Sequence, residues 1–413
     1  MMAAESDHGI PEGALNEAQP PPPATPIRRF RFSDILALLI IALMLGVLLV
    51  VGMAAASALP VQDLAQYWAG AHLVTSNPYS QELVSSFERS HAVTTEGTPM
   101  VMRNPPQALL LVLPLRFLNY RVAFGLWDLL SIVLVAACAR AAYGLVSNRS
   151  SLSPALISLL FGPTAALLML GQIVIFVLLG VTLFFLLIER RKDWLAGAAL
   201  FLVIPKPHLL LLFIAAVVLW AVHQRRWQVL SSAVITTTIA SALILLLNPH
   251  VFMQYLAFAR DFSRETTPYP NLGGLLYTMT GRHVVAYVPT LAAVAWLAVY
   301  WTRNRQAWDW KTHGITVLMV SIAFSYYSFA FDQIVMIPAL MIVFAHGNRT
   351  RFYAGLVLTN LGYVLYISGV AGRFGFGPMF LWWTSLALLC TFVLSRAPQT
   401  VLGNPSVSAA GFD

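Results

Sequence analysis

Charged side chains are scarce in this chain: Lys, Arg, Asp and Glu together make up 10% of its 413 residues, where a soluble domain carries about 25%. That shortage excludes an ordinary water-soluble globule. Cysteine is nearly absent as well. Cys138 and Cys390 both lie inside apolar runs, with no disulfide framework and no metal-ligand spacing. There is no Gly-rich phosphate loop, no HExxH and no convincing GxSxG, and no segment that reads as a nucleotide-binding domain. No cofactor is expected, and the sequence neither indicates nor excludes a helper divalent cation. If the chain transfers a group, the activated donor has to arrive through the membrane. No internal repeat is visible. The start of the chain lacks a cleavable signal, because its first apolar segment begins too late and runs too long.

What is there is hydrophobic: 58% of the residues, in apolar runs of about 17 residues or more recurring along the length. Each such run suffices to cross a hydrocarbon core of about 30 Å. The expected fold class is an all-α polytopic membrane protein, a bundle of about 12 transmembrane helices with further helices in its outer loops. The net charge of +8 sits in short clusters between the runs, as orientation by the positive-inside rule requires, and no nucleic-acid partner is expected.

Arg28, Arg29 and Arg31 precede the first span, 35–57, and put the N-terminus in the cytoplasm. Four later clusters, Glu189 to Lys192, Gln224 to Arg226, Arg303 to Lys311 and Arg349 to Arg351, are assigned to the same side. The spans 172–188, 194–205, 207–222, 228–247, 284–302, 313–330, 332–345, 352–370 and 376–396 then alternate, and the C-terminus falls inside. Upstream, only two of 104–118, 122–143 and 152–169 can be full crossings. The shortest opens with Asn104-Pro105-Pro106, and proline suits a helix start. It is read as a re-entrant helix on the outer side. The organisation expected is a disordered cytoplasmic tail over 1–33, one transmembrane domain over 34–397, and a cytoplasmic tail over 398–413. Within the domain lie an outer loop with the re-entrant helix (58–121) and a second outer loop (248–283). The compartment expected is a bacterial inner (plasma) membrane.

This scheme gathers the unusual polar features on one non-cytoplasmic face. Asp63 opens the first outer loop, followed by Tyr67 and Trp68 at helical spacing and by Asn77-Pro78-Tyr79. A carboxylate there can take a proton from an attacking hydroxyl, and the aromatics can stack on a sugar. The competing reading is a helix N-cap with an interfacial aromatic belt. Lys206, flanked by Pro205 and Pro207, can meet a phosphate as a point charge or merely snorkel to the interface. His208 reads either as an acceptor contact or as a packing residue. Asp332 lies amid aromatics between two spans, where an ionisable group is a functional candidate because its burial is costly. Asp128 is read as a hydrogen-bond partner between helices. The second outer loop brings Arg264 and Arg282, able to neutralise an anionic leaving group, together with Asn271.

Taken in order, Asp63 with Tyr67-Trp68 and Asn77-Pro78-Tyr79, Asn104-Pro105-Pro106-Gln107, Pro114-Leu115, Gly171-Gln172, Ala196-Gly197, Lys206-Pro207, Asn271 with Gly273-Gly274, and Asp332 to Pro338 resemble glycosyltransferase family 87. That family includes phosphatidylinositol-mannoside mannosyltransferases. The matches cover roughly residues 60–340. The resemblance implies a GT-C-type bundle and a hexosyltransferase, with mannose favoured. The implied donor is a polyprenyl-phosphate sugar whose lipid lies in the bilayer, and the acceptor is a lipid or glycan on the outer face. It implies inversion, with Asp63 as general base and Asp332 as a second catalytic carboxylate. Lys206, Arg264 and Arg282 would bind the donor phosphate, and Tyr67, Trp68, Asn104, Gln172, His208 and Asn271 the sugar or acceptor. The chain departs from some members in having no His at Phe331-Asp332.

Two other classes handle lipid-linked glycans. A flippase or transporter predicts paired interrupted spans in corresponding halves, of which only the pair around Pro205 is visible. A polysaccharide polymerase or ligase favours catalytic Arg and His in a late outer loop and has no need of Asp63.

Overall fold

The structure is a computed structural model that describes residues 63–91, 93, 100–147, 151–262, 269–373 and 377–396. The first expected span, the two tails, the Arg28–Arg31 cluster and Arg264 lie outside them. Every regular element among the described residues is helical. Three helices are long and apolar enough to cross a membrane: Tyr120–Gly144, Trp227–Leu247 and His283–Ala307. They agree closely with the expected spans 122–143, 228–247 and 284–302. Shorter apolar helices run over Pro106–Phe117, Val174–Glu189, Asp193–Val203, Pro207–His223, Ala330–His346 and Met379–Ser395.

The stretch expected to cross at 152–169 is two helices joined at a sharp bend. Ser153–Leu159 and Gly162–Leu170 are together long and apolar enough to cross a membrane but are bent by 60°. Each half starts with a proline in its first turn, Pro154 and Pro163, which can begin a helix but not continue one. A break at membrane depth frees backbone groups that lipid cannot satisfy. Here Asn360 repairs it: its Oδ1 accepts from the Gly162 N–H at 2.8 Å and its Nδ2 donates to the Leu160 carbonyl at 2.9 Å.

The core centres on Val174–Glu189, whose residues Val174, Val177, Leu178, Val181 and Phe184 are fully enclosed. This helix packs on Tyr120–Gly144, on Asp193–Ala199 and on the turn 330–336. The lipid-facing helices show the opposite pattern: Leu126, Leu129 and Val133 on one, and Val234, Ile239 and Leu246 on another, are exposed. No core-forming reason exists for apolar side chains to face outward on so many helices except an apolar solvent.

The basic clusters assigned to one side meet in space. Arg226 pairs with Asp193 at 2.9 Å and Lys311 with Glu189 at 2.5 Å, while Arg396 donates to the Thr312 carbonyl and the Thr316 hydroxyl. The Asp128 Oδ1 is buried without a hydrogen-bond partner among the described residues. The helix that carries it turns Leu126, Leu129 and Leu130 outward among the described residues.

Candidate active site

A cavity of about 750 Å³ opens where the first outer loop, the 171–172 turn, the 205–208 turn and the 326–331 segment converge, within the size range of ligand sites. Asp63, Tyr67, Asn104, Gln172, Lys206 and His208 all lie on its wall. Their parent segments are separated by as many as 145 residues of sequence, from 63 to 208.

Asp63 stands immediately before the helix Leu64–His72, at the N-cap position, but its side chain makes no capping bond. The carboxylate turns into the cavity instead. Oδ1 accepts from Gln66 Nε2 at 3.3 Å, one helical turn on, and Oδ2 accepts from Gln172 Nε2. The N-cap alternative is therefore not realised. Burial pushes the Asp63 carboxyl above its ordinary value, opposed by the positive charge of Lys206, the hydrogen bond from Gln172 and the charge of Arg103. A carboxylate so placed holds a proton better than a free aspartate and can accept one from a hydroxyl in the cavity.

Gln172 reaches Asp63 because of Gly171. This glycine ends the helix Gly162–Leu170 in the left-handed region, with φ of +66°, and its N–H and that of Gln172 both bond to the Leu167 carbonyl. Such a turn is the usual helix terminator that glycine permits. A Cβ here would also lie 2.7 Å from the Leu64 Cβ, so the turn and the start of the Asp63 helix touch backbone to side chain. The Gln172 Oε1 accepts from the Tyr67 hydroxyl at 3.2 Å and from Lys206 Nζ at 3.4 Å.

Lys206 sits between its two prolines, buried, with Nζ 2.6 Å from Asp332 Oδ1 and 4.5 Å from the centre of the Phe331 ring. Asp332 is itself fully enclosed, and its Oδ2 accepts from the Phe329 N–H at 2.8 Å. It stands behind Lys206 and off the cavity wall. Asn104 donates to the Pro205 carbonyl at 2.8 Å, and its own carbonyl accepts from Tyr79. It thereby pins the Lys206 turn to the first loop.

Other candidates are placed elsewhere. Trp68 is buried, donating to the Leu118 carbonyl at 2.8 Å and packing on His72, Phe87 and Tyr120. Asn271 caps the helix Leu272–Thr280 by accepting from the Gly274 N–H at 2.8 Å and does not line the cavity. Arg282 likewise stays off its wall. His208 lies edge-on to Tyr327, ring centres 4.7 Å apart, and its Nε2 is buried without a hydrogen-bond partner among the described residues.

Sequence reasoning missed Arg103, Gln66 and the tyrosines. Arg103 is exposed and lines the cavity; its charge acts on both Asp63 and Tyr327. Its position directly before Asn104-Pro105-Pro106 was the available signal. Gln66 was legible as the residue one turn after Asp63. Six tyrosines, at 255, 269, 277, 287, 326 and 327, line the far part of the cavity, with Tyr269 and Tyr327 in edge contact at 4.3 Å. They come from three segments that no local pattern connects. Among the described residues, no three His, Cys, Asp or Glu side chains gather as a metal would need.

A family model for glycosyltransferase family 87 matches residues 103–321. No curated protein and no solved structure matches the chain. The match covers more than half of the chain, which belongs to glycosyltransferase family 87. It is a glycosyltransferase with membrane-crossing helices, acting with a sugar donor and an acceptor.

Proposed function

We propose that the chain transfers a hexose, mannose being favoured, from a polyprenyl-phosphate donor to a hydroxyl of a lipid or glycan acceptor, with inversion at the anomeric carbon. The observation that carries this reading is Asp63: a carboxylate at a helix start that leaves its cap unmade and points both oxygens at amide donors on the wall of a cavity. The acceptor oxygen forms the new bond to the anomeric carbon. Its proton passes to Asp63, and the bond to the phosphate oxygen breaks with its electron pair leaving on the polyprenyl phosphate. The reaction requires positioning, one base and positive charge near the departing phosphate. Arg103 supplies that charge from the cavity wall, where Lys206 is also present but buried. The six tyrosines give rings and hydroxyls suited to polyhydroxylated sugar groups.

The same reading makes the chain a bundle of about twelve crossings in a bacterial plasma membrane, with both termini cytoplasmic and the cavity on the outer face. The contacts among the basic clusters support one common cytoplasmic side. Membership of a glycosyltransferase family disfavours the flippase alternative.

Asp63→Asn tests the reading, since it keeps size and hydrogen bonding but removes the base. Transfer from a labelled mannosyl-phosphoryl-polyprenol to a membrane lipid extract is expected to fall about 10²- to 10⁴-fold, with insertion and thermal unfolding unchanged. Undiminished transfer would remove Asp63 as the base.

A further inference from the structure

Four polar residues run in a line from the cavity into the protein: Asp63, Gln172, Lys206 and Asp332. The middle of this line has no spare capacity. An ammonium has three N–H donors; those of Lys206 meet Asp332 Oδ1 at 2.6 Å, Gln172 Oε1 at 3.4 Å and the face of Phe331 at 4.5 Å. The Gln172 amide is fixed in one sense. Its oxygen faces two donors, the Lys206 ammonium and the Tyr67 hydroxyl, and its nitrogen faces the Asp63 carboxylate. Turned over, it would set NH₂ against an ammonium and oxygen against a carboxylate. A glutamine between a cation and an anion can satisfy both only in the orientation found here.

Resting on the assignment of Asp63 as base, we infer that Gln172 is a positioning residue which holds Asp63, and that the buried Lys206–Asp332 pair fixes the Gln172 amide and sets the proton affinity of Asp63 from behind the cavity. Lys206 is thus spent chiefly on this arrangement, and Asp332 does its work without touching substrate. Among the described residues, the charged and titratable groups facing Asp63 are Lys206 from the 205–207 turn, Asp332 from the turn 330–336, Arg103 ahead of the Pro106 helix, Tyr67 on its own helix and Tyr120 at the head of the long span. Lys206 and Asp332 act on Asp63 in opposite senses. The Lys206 cation favours the carboxylate and the Asp332 anion disfavours it, the cation more strongly.

That opposition gives the test. The full chain in lipid nanodiscs is titrated by infrared difference spectroscopy, reading the Asp63 carboxyl against Asp63→Asn, alongside the pH profile of transfer from mannosyl-phosphoryl-polyprenol. Asp332→Asn keeps the shape of the pair but frees the Lys206 charge, so Asp63 is expected to lose its proton at lower pH than in the parent. Gln172→Ala removes the hydrogen bond to the carboxylate, so Asp63 loses its proton at higher pH. Turnover there falls about 10- to 100-fold, the range that loss of an orienting partner costs at a site, while the donor KM stays within about twofold.

Lys206→Met leaves Asp332 buried and unpaired, and such a variant can fail to fold. The double variant Lys206→Met with Asp332→Asn leaves no bare charge, and it is expected to titrate at higher pH than the parent and than Asp332→Asn alone. A merely structural role for the pair lowers activity at every pH and moves no titration. An Asp63 titration that stays put in all these variants, or moves the same way in all, overturns the inference. If Asp63→Asn retains transfer, the catalytic reading fails by itself, and the infrared titration still decides whether the line of residues governs Asp63.

Discussion

Lys206 and Asp332 form a deeply buried ion pair, 2.6 Å from Nζ to Oδ1, between residues 126 positions apart in the sequence. The side chains retain 8% and 0% of their exposure. A pair this deep is costly to desolvate and stands only when its remaining hydrogen-bonding capacity is met. Both requirements hold: Phe329 and Gln172 take the free oxygen of one partner and a second N–H of the other. Loss of either partner leaves an uncompensated charge, so single substitutions here carry a folding cost that has to be separated from any effect on transfer.

Arg103 is an exposed cation on the cavity wall, and under the proposed reaction it meets the anionic leaving group. Arg103→Ala is expected to lower kcat/KM for the donor by about 10- to 100-fold, the worth of one hydrogen bond to a charged group. Inhibition by added polyprenyl phosphate should weaken in parallel. Arg103→Lys should recover only part of the loss, since an ammonium lacks the planar fork. Arg103 also pulls the Asp63 carboxyl down, so the comparison belongs on the alkaline plateau of the rate profile, where Asp63 is ionised in both proteins. Equal product inhibition in parent and variant would rule Arg103 out as the phosphate ligand.

Gly171→Ala is expected to destabilise the protein by about 1–3 kcal/mol, from the left-handed backbone alone. The contact with Leu64 adds to it, because a Cβ 2.7 Å from another carbon forces a shift. Transfer should drop with stability, as Gln172 loses its aim. Gly125→Ala is the control, having open space around the new methyl within the long helix Tyr120–Gly144, and should be neutral or slightly stabilising. Thermal unfolding followed by tryptophan fluorescence separates the two; similar midpoints would contradict the role given to the turn.

Glu88 lies on the helix Gln81–Ser90, fully enclosed. Neither of its carboxylate oxygens has a well-formed hydrogen bond among the described residues. Burial pushes it up from 4.5 to about 7, with the Met100 backbone lowering it only in part. A carboxyl raised in the folded state stabilises fully below its unfolded value, here below about 4.5, and that contribution is lost as pH rises through about 7. The thermal midpoint of the parent should therefore fall between pH 5 and 8, while Glu88→Gln should flatten the curve across that window. Parallel curves would show that another group titrates.

Much of this was legible before any coordinates. The long spans were visible as apolar runs because lipid-facing and buried faces are both apolar, so the run continues right around the helix. Asp63, Lys206 and Asp332 stood out because an ionisable group at such a depth is costly enough to need a reason. The break inside 152–170 was not legible. Its repair comes from Asn360, two hundred residues away in sequence from Leu160, and only tertiary contact shows that a broken helix is tolerated there. The separate duties of Trp68 and Asn271 were hidden for a similar reason. A tryptophan beside an outer-loop acid reads the same whether its ring meets a sugar or, as here, Phe87 and Tyr120. The tyrosine lining escaped because its members come from three segments joined only by folding.

The left-handed glycine at 171 also divides the cavity by how freely its two sides can vary. On one side the spacing between Asp63 and the Gln172 amide is dictated by main chain against a leucine, so random libraries over residues 63–66 and 170–172 should be almost wholly inactive. On the other, the rings between 255 and 327 meet each other through side chains, which can be exchanged without re-threading the backbone. A campaign to retune which sugar or acceptor is taken has its room to work on that second side.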